Sequence, residues 1–183
     1  MIGLIIGTVI VCLITIYIIV TYNSLISSKN LVKEAFSTMD VYLKKRWDLL
    51  PNLTQTVKGY SSYEKEVLED VTKLRNGKYD DLSIENKIDV NTKIDSNIAS
   101  IFALKEGYPE LKSNENFLNL MNDLTKIEDD IANSRKYYNG AVRKLNNKVL
   151  MFPSNIVASI FGIKKEKMFE AKENEKESVK VNL

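Results

Sequence analysis

Residues 2–53 decide the fold. They read IGLIIGTVIVCLITIYIIVTY (2–22), NSLISSKNLVKEAFSTMDVYLKKRW (23–47) and DLLPNL (48–53). The first piece is uncharged throughout, and Lys29 is the first charged side chain of the chain. At 1.5 Å per residue it spans about 32 Å, one hydrocarbon core. A secretory signal would want a basic start, a shorter apolar run and a small-residue cleavage site. Nothing basic precedes this run and no Ala-x-Ala follows it, so the expectation is a retained membrane anchor over 1–22. Tyr17 and Tyr22 are placed to sit at the interface, and Cys12 lies too deep for a lipid-modified cysteine. Lys29 and Lys33 follow the segment, with no Lys or Arg before it. The positive-inside rule then puts the bulk of the chain in the cytoplasm of a single-pass protein, with a short external amino terminus. No helix breaker stands between Tyr22 and Trp47, so the anchor is expected to run on into the next helix.

Beyond the anchor, apolar residues recur at steps of three, four and seven, the helical signature. One stretch carries Leu25, Val32, Phe36, Met39 and Leu43, and a second carries Leu53, Val57, Tyr60, Val67, Val71 and Leu74. A third runs from Ile84 to Ile101 and a fourth from Phe117 to Val149. Pro51 is expected to end or kink the first helix near Leu49. Asn76-Gly77 and Gly107-Tyr108-Pro109 mark further breaks, with Ser113 as an N-cap and Gly59 as a point of close helix–helix approach or of a ligand. Short links between long helices predict an all-α, antiparallel up-down bundle over 23–163. Between Lys148 and Lys164 an uncharged segment with Phe152, Pro153, Ile156, Phe161 and Gly162 predicts one short helix. It is either a lid on the bundle or an apolar docking patch for a partner or the membrane surface. Residues 164–183 read as a polar tail, its first part able to extend a helix and its end, from about Lys172, disordered.

The chemical inventory is thin. The chain has 183 residues, 26 Lys+Arg against 24 Asp+Glu, no His and one Cys. That composition excludes a His-based triad, His–Cys zinc ligation and an intrachain disulfide, and no Gly-rich phosphate loop occurs. Adjacent acids such as Asp80-Asp81 and Asp129-Asp130 point in different directions on a helix, as solvated faces do. The charge balance gives no pull toward nucleic acid. The expectation is a non-enzymatic protein without cofactor or metal.

The segment 40–60, DVYLKKRWDLLPNLTQTVKGY, holds the most unusual residues. Lys44-Lys45-Arg46 is the densest basic cluster. On an upright helix it lies about 35 Å past Tyr22, too far to reach lipid across a Debye length of about 8 Å. Helix-end cations complementing the dipole are one reading and a partner site is another. Asp48 is placed to cap the turn before Pro51, and Asn52 to bond backbone freed by it. Trp47 reads as core. Candidate partner surfaces are Lys44, Arg46, Asp48, Pro51 and Asn52, and separately Phe152, Ile156 and Phe161. Arg46 and Asp48 also read as an intra-bundle pair, which would make them structural.

These residues carry a resemblance. Tyr22-Asn23-x-Leu25, then Asp40-Val41-x-Leu43-Lys44-x-Arg46-x-Asp48-Leu49-Leu50-Pro51-Asn52-Leu53, then Val57-Lys58-Gly59-Tyr60 are similar to the LemA family of bacterial membrane proteins. Ile131-Ala132, Arg135, Tyr138-Asn139, the block Phe152 to Ala158, Phe161-Gly162 and Phe169-Glu170 continue it to near the end. Trp47, Tyr63 and Ile163 depart from the family's usual residues. The resemblance implies one N-terminal membrane helix, a long helical domain and no established catalytic activity. It also implies an association with membrane proteostasis and HtpX-type zinc metalloproteases. The expected function is a membrane-tethered scaffold or adaptor that contacts the bilayer through 2–22 and binds other membrane proteins. The alternatives are a self-assembling, membrane-organising homo-oligomer and a carboxylate-based metal enzyme.

Overall fold

A computed structural model describes residues 1–58 and 78–169. Every regular element among them is helical: α1 (Ile2–Lys58), a 3₁₀ turn (Tyr79–Asp81), α2 (Ile84–Gly107), α3 (Pro109–Lys112), α4 (Glu115–Leu150) and α5 (Ser154–Ile160). The expected Gly59, Tyr60, Val67, Val71, Leu74 and Asn76-Gly77 features, and the end of the tail, lie outside the described residues.

The chain divides into two compact units, residues 1–34 with 137–183, and residues 35–136. In the second unit α1 supplies Met39, Leu43, Trp47, Leu50, Leu53 and Val57 to the core. The expected break near Leu49 is corrected: α1 continues through Pro51 to Lys58. Proline costs an interior helix about 3 kcal/mol, but Leu50, Leu53 and Val57 prolong the buried stripe beyond it, and their burial at about 1.5–3 kcal/mol per side chain outweighs that cost. Side-chain pairs fix the register. Asp40 meets Lys87 and Arg46 meets Asn91 and Asp95, so α1 and α2 run in the same direction. Arg46 also meets Glu128, while Asn52 shares a groove with Asn116 and Asn119, so α4 runs antiparallel to α1. α2 starts at Ser83, whose Oγ accepts from the Asn86 amide at 3.2 Å. It ends where Tyr108 turns extended ahead of Pro109. The cap of α4 is Asn114, whose Oδ1 accepts from Phe117 N at 2.9 Å. The expectation for Ser113 is corrected: its hydroxyl instead bonds Pro109 O at 2.7 Å, closing α3.

In the first unit, side chains 1–17 of α1 are exposed and protein cover begins around Ile18. Leu25, Val32, Tyr138, Val142 and Leu145 form its core. Lys148 reaches the hydroxyls of Ser24 at 2.6 Å and Ser28 at 2.8 Å, which sets α4 against this part of α1. α5 follows a cis Phe152-Pro153 bond and closes at Gly162, whose φ of +64° suits a residue without Cβ. Residues 163–169 do not extend a helix. They run along α4, held by asparagines: Asn146 exchanges two hydrogen bonds with Glu166, and Asn139 two with Phe169, all 2.8–2.9 Å. Seven helical residues rise about 10.5 Å and three extended ones about 10 Å, so the two pairs come into step.

Candidate functional site: a paired ionic interior and two outer surfaces

The second unit is organised around Arg46. Its place follows from the stripe, because 46 is the seventh residue after Met39 and the seventh before Leu53. An apolar position is thus filled by a guanidinium, which is 0% exposed. A buried cation must be paired and hydrogen-bonded. Nη1 donates to Asp95 at 2.5 Å and to Glu128 at 2.9 Å, and Nη2 donates to Asn91 Oδ1 at 2.7 Å and Asn91 O at 3.0 Å. Arg135 faces the other oxygen of Asp95 at 3.5 Å. Two guanidinium and two carboxylate groups therefore balance. Asn91 is itself buried, and its Nδ2 donates to Lys87 O.

A second cluster lies six residues back along α1, at Asp40. Asp40 accepts from Tyr79 Oη at 2.8 Å and from Lys87 Nζ at 2.6 Å. Lys87 stands 4.7 Å from the centre of the Tyr79 ring, and Trp47 packs on that ring at 5.4 Å. Burial, reinforced by the Asp40 bond, raises the Tyr79 phenol far above its usual range. Lys44 bonds Asp80 at 3.1 Å, which raises its pKa. These contacts pair the interior charges, although the Nε of Arg46 is buried with no hydrogen-bond partner among the described residues. Among the described residues no group of three or more His, Cys, Asp or Glu side chains is placed to hold a metal.

The expected surface residues therefore separate. Arg46 is corrected: it is core, because its charge is spent inside the unit. The dipole reading of Lys44-Lys45-Arg46 is corrected too, since the cluster lies mid-helix and not in a last turn. Lys44 and Pro51 are half-exposed, and Asp48 and Asn52 are exposed. Asn52 opens onto a groove of about 500 Å³ lined by Gln55, Thr56, Asn116 and Asn119 together with Leu120 and Asp123. Sequence reasoning missed this groove because its wall on α4 is polar and carries no motif. In the first unit Phe152, Ile156 and Phe161 are all exposed, while Val157 and Ala158 face inward. Lid and patch are thus two faces of α5.

A family model described as the LemA family matches residues 35–183. The chain belongs to the LemA family. It is 26% identical over 159 residues to Protein LemA of Metamycoplasma hominis, covering 86% of this chain and 72% of that protein. It is 32% identical over 75 residues to Magnetosome protein MamQ 2 of Paramagnetospirillum magneticum, which covers 41% of this chain and 28% of that one. Magnetosome protein MamQ of Magnetospirillum gryphiswaldense is similar over the same length at 28% identity. The likeness to the magnetosome proteins is therefore a shared stretch, whereas the LemA match spans most of both chains.

Proposed function

We propose that this LemA-family chain is a membrane-anchored, non-catalytic helical scaffold that binds other membrane proteins. The observation that carries the reading is α1 itself. One continuous helix begins with an uncharged apolar run whose side chains 1–17 have no protein cover, and continues into a unit whose interior charges pair with each other. Leaving Ile, Val and Leu in water forfeits about 1.5–3 kcal/mol each, and a bilayer recovers it. A balanced interior leaves binding to the outer faces. The face with Lys44, Asp48, Pro51 and Asn52 is the one proposed for a protein partner. Its groove offers amides of both hydrogen-bonding senses and suits the polar backbone or side chains of another chain. The family resemblance makes a membrane-bound zinc metalloprotease of HtpX type the partner to look for first.

Photocrosslinking in native membranes tests this, with photoreactive residues replacing Asn52 and Gln55 in separate variants. Capture of one distinct membrane protein at both positions is the expected result. Capture of this chain alone would replace the adaptor reading with self-assembly, and no capture at either position would reject this face.

A further inference from the structure

Leu150, Met151, Phe152, Ile156, Ile160 and Phe161 are 48–79% exposed. A single exposed leucine is ordinary surface, but six large apolar side chains within twelve residues are not. Ile156 and Ile160 stand four apart and share the outer face of α5, opposite Val157 and Ala158.

The place of this patch is fixed by the anchor. The Phe161 ring lies 4.5 Å from the Tyr22 ring, and Tyr22 closes the apolar run 2–22. Lys148 bonds Ser24 and Ser28, and Glu128, earlier in the same helix, meets Arg46, later in α1, so α4 runs opposite to α1. Residues 150–152 therefore lie further toward the anchor. The patch is level with the point where α1 emerges from its apolar stretch.

Charge says what covers it. Residues 1–34 and 137–183 carry eleven Lys or Arg and six acids, whereas residues 35–136 carry fifteen and eighteen. No Asp or Glu occurs from 131 to 165. Lys164 and Lys165 are exposed and line a groove of about 530 Å³ whose wall includes Val149, Leu150, Ala158 and Ile163. An apolar wall beside ammonium groups matches acyl chain and phosphate headgroup together. A second copy of the same unit would bring like charge against like.

We propose that Leu150–Phe161 is a second membrane contact, dipping into the interface of an anionic bilayer on the side where the anchor leaves it. Lys164 and Lys165 then lie among the headgroup phosphates. The proposal rests on the reading of Ile2–Tyr22 as membrane-spanning. Two contacts would fix the first unit's rotation about the α1 axis, which a single spanning helix would not.

The test uses the full chain with Cys12→Ser, in vesicles of phosphatidylethanolamine and phosphatidylglycerol. Spin labels are placed through Phe152→Cys, Ile160→Cys, Tyr17→Cys and Val41→Cys in separate variants. Relaxation by oxygen, which partitions into lipid, is compared with relaxation by a water-soluble nickel chelate. Labels at 152 and 160 are expected to favour oxygen several-fold, as at 17, while the label at 41 favours nickel. Adding Lys164→Glu and Lys165→Glu is expected to shift the ratio at 152 toward nickel, and an unchanged ratio would remove the lysines from the proposal. Nickel-accessible labels at 152 and 160, with 17 still lipid-exposed, would overturn the second contact and leave the anchor standing. Labels at 152 and 160 shielded from both reagents would mean protein covers the patch, which also overturns it. Nickel access at 17 would sink the anchor reading and this proposal with it.

Discussion

Arg46 shows how one side chain can be read two ways. In the sequence it belongs to a basic triplet; on the helix it continues the heptad of Leu25, Val32, Met39 and Leu53, and the heptad wins because the residue is buried. The spacing was available in the sequence. What was not available was the set of partners, since Asn91, Asp95 and Glu128 are 45, 49 and 82 residues away. Removing one member of a buried ionic group leaves its partners uncompensated, at about 3–5 kcal/mol. Arg46→Ala is therefore expected to destabilise the chain by about that amount, read as a lowered midpoint in thermal denaturation by circular dichroism. Arg46→Met combined with Glu128→Gln should recover much of the loss, because one charge of each sign leaves and Asp95 still faces Arg135. A single Arg46→Ala variant as stable as the parent would show that the network contributes nothing. Tyr79 gives a pH prediction. Its phenol ionises near pH 10.0 when unfolded and is held protonated well above that when folded, first by burial and then by Asp40. The unfolded state is then the one that releases the proton. The contribution is complete below about pH 10 and is lost as pH rises above it. Stability should fall more steeply above pH 10 in the parent than in Tyr79→Phe, and parallel curves for the two would refute the assignment.

Helices were legible because periodicity is local, and their breaks were legible where backbone chemistry alone decides them. Gly107-Tyr108-Pro109 and Gly162 fall where the chain turns. Pro51 did not behave locally, because the stripe on either side of it packs into one core. Pro51→Ala restores an amide to the helix ladder and is expected to stabilise the chain by up to about 3 kcal/mol. If the same variant also loses the crosslinked partner, proline is kept for binding and not for folding; a destabilised variant would show that the core needs the proline's local geometry. Residues 163–169 were illegible for another reason. A polar, Lys-rich segment gives no sign that it will dock, and the devices that hold it are Asn139 and Asn146, residues with no apolar signature. Each carboxamide makes two bonds, and each bond is worth about 1 kcal/mol. Asn139→Ala with Asn146→Ala should free this segment, uncovering Phe169 and raising amide exchange at 164–169 while the amides of α4 stay protected. Unchanged exchange there would mean that Phe169 and the Tyr138 bond to Lys167 O suffice to hold it.

The two units differ in charge as well as in composition, and that difference bears on orientation. The unit with the apolar run is basic, with eleven Lys or Arg against six acids, and the other mildly acidic. Insertion is decided before the units fold, by the charges close to the segment in sequence. Only Lys29 and Lys33 lie in that window, and Glu34 contributes little to the rule. The later basic residues, from Arg143 onward, come too late in the chain to count for insertion, although they would face the same leaflet after folding. The bias is therefore narrow at the moment of decision and wide once the fold exists. Lys29→Gln with Lys33→Gln should convert a single topology into a mixed one, read by labelling Val41→Cys, in the Cys12→Ser chain, with a membrane-impermeant maleimide on intact cells. Val41 suits this because it is exposed on α1, nineteen residues beyond Tyr22. The parent should stay unlabelled until the cells are opened, and a fraction of the double variant should label beforehand. A variant that remains wholly protected would show that something other than these two lysines sets the orientation. A parent that labels in intact cells would place the helical units outside, against the charge rule.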